Sequence, residues 1–198
     1  MFDQSILCVM GILIFSYLLG SIPNGLIFGK LIWKKDLRQF GSKNIGATNA
    51  WRVLGRKAGI LIFLLDFFKG ALSVGLAEIF IGDAWAMVCA GILAILGHTF
   101  SIFLKLRGGK GVATGLGVIA VMMPKVTALV FLIWLVIFLA SRYVSLASII
   151  AATATPILAF IFDAPNEFVL FGLAAAVFIV YRHKENISRL RVGNENRF

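Results

Sequence analysis

Apolar segments of membrane-spanning length alternate with short polar connections along the whole chain. A helix needs roughly 20 mainly apolar residues to cross a bilayer. The pattern therefore predicts an all-α integral membrane protein with seven transmembrane helices, of which some are short or broken. The predicted spans lie near residues 4–29, 58–81, 84–104, 112–123, 125–140, 144–162 and 167–182. Hydrophobic residues occupy 60% of the 198 positions, which is more than a soluble domain of this size can bury.

Two features interrupt this pattern. The sequence GSIPNG, residues 20–25, places Gly20, Pro23 and Gly25 inside the first apolar segment. Irregular backbone at membrane depth is tolerated only where it is buried in protein or lines a polar cavity, so we expect a broken helix there. The fourth and fifth segments are short, and they could instead form one helix kinked at Pro124.

The distribution of charge decides between these topologies. The chain carries 19 Lys and Arg against 9 Asp and Glu, an excess that in a membrane protein indicates cytoplasmic loops, anionic head groups or an anionic substrate. With seven spans and the N-terminus outside, 17 of the 19 basic residues lie in cytoplasmic connections or in the cytoplasmic tail. The exceptions are Lys69, which lies within a span, and Lys125, which lies outside. The acids that fall outside are Asp3, Asp83, Asp163 and Glu167. Merging the fourth and fifth segments would move the basic tail outside, against the positive-inside rule. We therefore predict a cytoplasmic C-terminus and, since no long linker or repeat is present, one domain over residues 1–198.

The longest predicted cytoplasmic connection contains the motif GSKNIGATNAWRVLG at 41–55. Glycines let backbone N–H groups converge on an anion, and arginine offers a planar fork that suits phosphate. The alternative is a solvated basic loop at the membrane surface, which fits the cations but fits the amides and glycines less well. The candidate phosphate-binding residues in this motif are Ser42, Asn44, Gly46, Thr48, Asn49 and Arg52.

A second motif, LKLRGGKGVATGLG at 104–117, lies in the next predicted cytoplasmic connection. It does not match a Walker loop, because Gly111 follows Lys110 where that loop has Ser or Thr. A helix predicted to begin at Val112 would still direct its free N–H groups and dipole towards an anion. The alternative is a flexible connection with a few cytoplasmic charges. The candidate residues are Gly108, Gly109, Lys110, Gly111 and Thr114.

The third motif, RHKENISRLRVGNE at 182–195, follows the last span. His183, Asn186 and Arg189 are spaced so that they share roughly one face of a helix. The alternative is a basic helix that lies on anionic lipid.

Few polar residues fall within the spans. Asp66 and Lys69 are three residues apart and can pair on one helix, either as part of a site or as a structural ion pair. His98, near the end of a span, is expected to be structural. Cys8 and Cys89 lie within apolar segments and are expected to be buried thiols.

Four stretches, in this order, resemble the bacterial integral-membrane glycerol-3-phosphate acyltransferases of the PlsY type, which use acyl phosphate as donor. They are GSIPNG, GSKNIGATN, GHTFSIFLKLRGGKGVATGLG and HKENISRLRVGNE. One small departure is FSIF at 100–103, because many members of the family have a proline after the residue that corresponds to Phe100.

The resemblance implies transfer of an acyl group from acyl phosphate to the sn-1 hydroxyl of glycerol 3-phosphate, the first acylation of phospholipid synthesis. The products would be lysophosphatidic acid and phosphate. It also implies no metal, no cofactor and no coenzyme A or acyl carrier protein as donor. The expected partners are the two substrates and membrane lipid, without nucleic acid, and the enzyme is expected to be a monomer. The expected location is the bacterial cytoplasmic membrane, with the active site on the cytoplasmic face.

The resemblance and the residues together suggest the catalytic roles. The sequence has no His-x4-Asp arrangement and no G-x-S-x-G elbow, so we expect the donor phosphate itself to take the hydroxyl proton. The residues expected to act in catalysis are Lys110, Arg52, Ser42, His183 and Asn186. Glu185 is a less favoured general base. The rival functions are an organic-phosphate transporter, for which no paired inverted repeat is visible, and a metal-dependent CDP-alcohol phosphotransferase, for which the aspartates are too few.

Overall fold

The computed structural model describes residues 4–198, so Met1–Asp3, and with them the predicted position of Asp3 and of the chain start, lie outside the described residues. The described part is helical and contains no strand, which confirms the all-α prediction. Its α-helices are α1 Gln4–Ser21, α2 Asn24–Leu31, α3 Ala47–Leu54, α4 Arg56–Phe80, α5 Ala84–Thr99, α6 Val112–Met122, α7 Pro124–Ser141, α8 Val144–Ile161, α9 Asn166–Arg182 and α10 Lys184–Arg191. Two short 3₁₀ helices cover Leu37–Gln39 and Ile102–Leu104.

The long apolar helices make this chain an integral membrane protein. Within residues 4–198, four are long and apolar enough to cross a bilayer: α4, α5 continued through Leu104, α7 and α8. The pairs α1–α2 and α9–α10 each meet the same criteria together, with bends of 44° and 58°. Helix α6 has 11 residues and reaches only about 17 Å at 1.5 Å per residue, against a hydrocarbon core of about 30 Å. The count of seven spans and the orientation of the termini stay predictions.

The break predicted in the first span is present. Helix α1 ends at Ser21 and α2 begins at Asn24, with Pro23 between them at φ −88° and ψ 71°. The carbonyl oxygens freed by the break have partners: Ser101 Oγ donates to Ser21 O (2.5 Å), and Lys69 Nζ donates to Ile22 O (3.1 Å). Irregular backbone is therefore buried in protein here, as the low-dielectric surroundings require.

The second predicted interruption is a break between two helices. Helix α6 ends at Met122, Met123 is non-helical at φ −143° and ψ 69°, and Pro124 begins α7. Proline favours the first position of a helix because its missing N–H would have no intrahelical partner there. A single helix kinked at Pro124 does not form.

The chain divides into two compact units, residues 1–121 and 122–198. In the first unit α5 packs on α1 and α4, and α3 packs on α4; in the second, α8 packs on both α7 and α9. Small residues line the contacts, as is common between membrane helices: a side chain on Gly20 would overlap the backbone of Ala94, and one on Gly97 would overlap Tyr17 O. The single-domain assignment for residues 1–198 stays a prediction.

The surface of the helices is apolar, in contrast to a water-soluble protein. Ile79 and Phe160 are each 75% exposed, which is favourable only where the surroundings are lipid. The prediction that Cys8 and Cys89 are buried is wrong, because both lie on the surface. Apolar neighbours in the sequence do not indicate burial in protein when a membrane helix can also face lipid.

Candidate active site

Asn49 organises the first motif. It lies in the first turns of α3, is 1% exposed, and its Nδ2 is within hydrogen-bonding distance of the carbonyl oxygens of Leu37 (3.1 Å), Phe40 (3.1 Å) and Asn44 (2.7 Å). Its Oδ1 accepts from the amide of Ser42 at 2.9 Å. One side chain therefore holds the connection before α3 in a fixed conformation. The polar atoms of Asn49 bond the backbone in this structure. Direct contact between Asn49 and phosphate stays a prediction.

The segment before α3 forms a turn that leads into the helix. Asn44 Oδ1 accepts from the amide of Gly46 at 2.8 Å, which is an Asx turn, and Gly46 is the N-cap of α3. Ser42 is exposed, Thr48 is half-buried in the first turn, and Arg52 is half-buried in the last turn. Ser42 and Thr48 thus lie near the N-terminus of a helix, where anions are stabilised, and Arg52 lies at its other end.

An ion-pair group fixes the start of the same connection. Asp36 caps the 3₁₀ helix Leu37–Gln39 and contacts Arg38 Nη2 at 2.6 Å and Lys30 Nζ at 3.2 Å. The hydrogen bond from Arg38, opposed by partial burial and helped by Lys30, holds the pKa of Asp36 well below its usual range. These cations are half exposed, so the group contributes little to stability but orients the chain.

The GGKG segment, residues 108–111, lies against the end of α5. The amide of Gly108 donates to Thr99 O (2.8 Å), and that of Gly109 donates to His98 O (3.1 Å). A side chain on Gly109 would overlap the imidazole of His98, so only glycine permits this approach. Both amides are therefore used within the fold, and their predicted contacts with phosphate stay predictions.

Helix α6 begins directly after this segment. Gly111 has φ +83°, a conformation that glycine adopts without strain, and it reverses the chain so that α6 begins at Val112. Lys110 is half-buried beside the first turn, whose N–H groups have no partner within the helix. Thr114 is fully buried, and its Oγ1 has no hydrogen-bond partner among residues 4–198. A cation and a helix N-terminus, each of which favours an anion, are therefore adjacent in the chain.

A buried polar group, here called the membrane polar cluster, consists of Asn24, Asp66, Lys69 and His98. Asp66 Oδ1 lies 3.0 Å from Asn24 Nδ2, 3.0 Å from Lys69 Nζ and 3.8 Å from His98 Nδ1. Each of the four residues is at most 7% exposed. The Asp66–Lys69 pair anticipated from the spacing is confirmed, and the structure adds Asn24 and His98 to it.

The third motif is organised by Glu195, a residue that the sequence interpretation missed. Glu195 accepts from Asn186 Nδ2 (2.6 Å), Arg189 Nε (2.7 Å) and Ser145 Oγ (2.8 Å). Asn186 and Arg189 do lie on one side of α10, as their spacing predicted. An acid at the end of a strongly basic tail was the signal that could have identified Glu195.

His183 stands at the junction of α9 and α10 and is 3% exposed. Its Nδ1 lies 2.8 Å from Ile179 O. Because a carbonyl oxygen only accepts, Nδ1 carries the proton in the neutral ring and Nε2 is then the acceptor nitrogen. The ring orientation is therefore fixed by the backbone of α9.

The predicted site residues thus fall into three local groups. Ser42, Asn44 and Gly46 are held by the turn and by Asn49, the GGKG segment is held by the end of α5, and Asn186 is held by Glu195. The first two groups belong to the first compact unit and the third belongs to the second.

The hydrogen bonds of Glu195 predict a pH-dependent stability. Burial has the largest single effect and raises its pKa, but the bonds from Asn186, Arg189 and Ser145 together outweigh it, so the pKa lies below its usual value near 4.5. A carboxyl group whose pKa is lower in the folded than in the unfolded protein stabilises the fold at pH values above the unfolded pKa. This contribution is lost as the pH falls through the pKa of the folded protein. We expect the midpoint of thermal unfolding in detergent to be about 5 °C lower for Glu195→Gln at pH 7.5, with the difference shrinking below pH 4.5.

Glu185→Gln is the matched control, because the side chain of Glu185 is 79% exposed and lies 4.0 Å from Arg189. Its midpoint should follow the wild type at every pH. A Glu195→Gln protein with the wild-type midpoint at pH 7.5 would contradict the prediction.

Known proteins resemble this chain over nearly its whole length. A family model described as glycerol-3-phosphate acyltransferase matches residues 10–193. A protein named glycerol-3-phosphate acyltransferase from Aquifex aeolicus (strain VF5) is 45% identical over 188 residues, which covers 94% of this chain and 97% of that protein. One of the same name from Fusobacterium nucleatum subsp. nucleatum is 42% identical over 186 residues, with coverages of 94% and 96%.

Solved structures agree with the sequence match. The crystal structure of PlsY (YgiH), an integral membrane glycerol 3-phosphate acyltransferase, in its glycerol 3-phosphate form has a TM-score of 0.93 and 44% identity, and the match covers 96% of this chain and 95% of that one. Its lysophosphatidic acid form has a TM-score of 0.90 and 43% identity over the same shares. The sequence resemblance to the PlsY type is thereby confirmed, and the transporter alternative is not favoured. The chain belongs to the glycerol-3-phosphate acyltransferase family.

Proposed function

We propose that this protein transfers a fatty acyl group from acyl phosphate to the sn-1 hydroxyl of glycerol 3-phosphate, releasing lysophosphatidic acid and inorganic phosphate. The observation that carries the proposal is the similarity over almost the full chain to PlsY structures in a glycerol 3-phosphate form and a lysophosphatidic acid form. Those two ligands are the acceptor and the acylated product of one reaction. The donor is our own addition, and it is implied by the resemblance of the four sequence stretches to acyltransferases of the PlsY type.

Two phosphate-bearing substrates need two anion-binding regions, and the first unit supplies two candidates. Lys110, with the N-terminus of α6, holds one phosphate, supported by Gly108, Gly109, Gly111 and Thr114. Ser42, Asn44, Gly46 and Thr48 form the second cradle, which Asn49 keeps in shape, and Arg52 clamps glycerol 3-phosphate. The positive charge of Lys110 or Arg52 and the oriented N–H groups make each region favourable for the negatively charged phosphate.

In the second unit, His183 and Asn186 are the residues that we propose to bond hydroxyl or phosphate groups of a substrate. Nδ1 of His183 lies 2.8 Å from the carbonyl oxygen of Ile179, so the backbone of α9 sets the orientation of its ring. Glu195 holds Nδ2 of Asn186. These are positioning contacts, and they set the direction in which each side chain can bond a substrate.

The chemical step needs no covalent acyl-enzyme, because acyl phosphate is already activated. The sn-1 hydroxyl oxygen attacks the acyl carbonyl carbon, the bond from that carbon to the phosphate oxygen breaks, and the hydroxyl proton passes to an oxygen of the departing phosphate. A phosphate with a second pKa near ~6 is a suitable weak base for this transfer. The protein supplies placement, which is worth about 7–11 kcal/mol when well arranged, and fixed donors for the developing oxyanion.

We propose further that the enzyme acts as a monomer in the bacterial cytoplasmic membrane. Seven spans, an external N-terminus and cytoplasmic motifs are consistent with the distribution of Lys and Arg. Reporter fusions that place the segments 41–55 and 104–117 on opposite sides of the membrane would contradict this topology.

The activity has a direct test. Purified protein in detergent receives palmitoyl phosphate and glycerol 3-phosphate in the presence of a chelator, and the release of phosphate and the formation of lysophosphatidic acid are both measured. We expect equal amounts of the two products. Palmitoyl-coenzyme A in place of palmitoyl phosphate should give no product. Turnover only with the coenzyme A ester, or only with added metal, would overturn the proposal.

A further inference from the structure

We propose that the membrane polar cluster, Asn24, Asp66, Lys69 and His98, is a positioning device that sets the place of the GGKG segment and thereby of Lys110. This inference rests on the proposed function, in which Lys110 holds a substrate phosphate. It assigns the four residues a role in activity although no substrate contact is required of them.

The membrane polar cluster carries a large desolvation cost, because its charged groups are buried in membrane helices. Asp66 and Lys69 have side chains only 3% exposed, and buried charges cost more in desolvation than a good pair usually returns. Intramembrane ionisable residues therefore indicate function more often than stability. Here their contacts are specific: Lys69 Nζ bonds Ile22 O in the broken first span, and Asn24 Nδ2 bonds Asp66 Oδ1.

His98 links the cluster to the GGKG segment. On one side its Nδ1 faces Asp66 Oδ1 at 3.8 Å. On the other side its ring occupies the space that a side chain of Gly109 would need, and its carbonyl accepts from the Gly109 amide. The imidazole is therefore packed between the carboxylate of α4 and the backbone next to Lys110.

Helix α4 fixes the other end of the segment as well. One turn beyond Asp66, a side chain on Gly70 would overlap Thr114 O in α6, and Phe67 O lies where a side chain on Gly117 would stand. The backbones of α4 and α6 are thus in direct contact just after the GGKG segment. Helix α4 therefore supports the chain on both sides of Lys110, through His98 before it and through the first turns of α6 after it. Because these contacts are close-packed, a shift of the membrane polar cluster must also move Lys110.

A double-mutant cycle between His98 and Gly109 tests this coupling. His98→Ala removes the support, and Gly109→Ala pushes a methyl group against the ring; each should lower kcat/KM by about 10-fold or more, since a 1 Å misplacement can cost 10²-fold. In the double variant the methyl group occupies space that the ring has left. Relative to wild type, its kcat/KM should be about 3-fold or more above the value obtained by multiplying the relative kcat/KM values of the two single variants.

Ser73→Ala is the matched control. Ser73 is buried in α4, and its Oγ donates to the carbonyl oxygen of Lys69 within the same helix. Its kcat/KM should stay within about twofold of wild type, a change typical of a lost hydrogen bond that does not reach the site. Losses from His98→Ala and Gly109→Ala that multiply without coupling would overturn the inference.

A second measurement needs no turnover. The rate of trypsin cleavage after Lys110 reports how firmly the segment is held. We expect His98→Ala and Asp66→Asn to raise it about 5-fold or more, the double His98→Ala, Gly109→Ala variant to raise it less, and Ser73→Ala to leave it unchanged. Unchanged cleavage in His98→Ala would overturn the positioning role. Wild-type protein that is inactive on palmitoyl phosphate, but shows the expected cleavage pattern, would instead overturn the proposed function.

Discussion

Lys110→Ala is expected to lower kcat/KM for acyl transfer from palmitoyl phosphate by about 10²–10³-fold, the loss typical of removing one fixed group that stabilises developing charge. Lys110 lies between Gly109 and Gly111, one residue before Gly111 leads into α6, and its ammonium adds a full charge to the backbone dipoles of that helix N-terminus. Initial rates of phosphate release, at saturating and at limiting concentrations of each substrate, measure the effect.

Lys105→Ala is the matched control for this experiment. Lys105 belongs to the same connection, is exposed, and already has φ +51°, a strain that alanine neither adds nor relieves. We expect its kcat/KM to remain within about twofold of wild type, as for other surface substitutions. Equal losses in the two variants would show that general loop charge, and not the site beside α6, explains the activity.

Asn49→Ala is expected to produce the largest combined loss of order and activity. The substitution removes the bonds to three carbonyl oxygens and to the Ser42 amide. Because Nδ2 carries two hydrogens, the side chain makes about three full hydrogen bonds at once, and at roughly 1 kcal/mol net for each the substitution should destabilise the connection by about 3 kcal/mol. Because the second phosphate cradle stands on this support, kcat/KM should fall by about 10²-fold or more. Trypsin cleavage after Lys43, which lies inside the supported turn, should accelerate in parallel.

Two further variants separate the parts of this effect. Asn49→Asp keeps an acceptor for the Ser42 amide but replaces the donor by a carboxylate oxygen that faces three carbonyls, so it should be as damaging as Asn49→Ala. Asn166→Ala, at an exposed position at the start of α9, should match the wild type in rate and in cleavage. An Asn49→Asp protein with normal activity would show that Nδ2 does not hold the connection.

The contrast between Asn49 and Lys110 clarifies what the motifs contain. Both were predicted from the sequence as binding residues, because amides, glycines and cations in one motif favour an anion site. In the structure, the side chain of Asn49 and the amides of Gly108 and Gly109 all bond backbone groups of the protein. A motif can therefore combine residues that touch a ligand with residues that hold those residues in place, and composition does not separate the two.

The apolar pattern was enough to identify an integral membrane protein, the positions of its long apolar helices, the break at Pro23 and the separate short segments on either side of Pro124. These are local consequences: a long apolar segment must form a helix in a bilayer because its backbone finds no other hydrogen-bond partners, and proline or glycine breaks it where it stands. The folded protein alone shows that His98 lies against Gly109, that Asp66 lies close to both Asn24 and His98, and that Glu195 accepts a hydrogen bond from Asn186. Those partners come from different helices or distant turns, and their meeting depends on how closely small residues allow the helices to approach, which no local pattern of apolar and polar positions encodes.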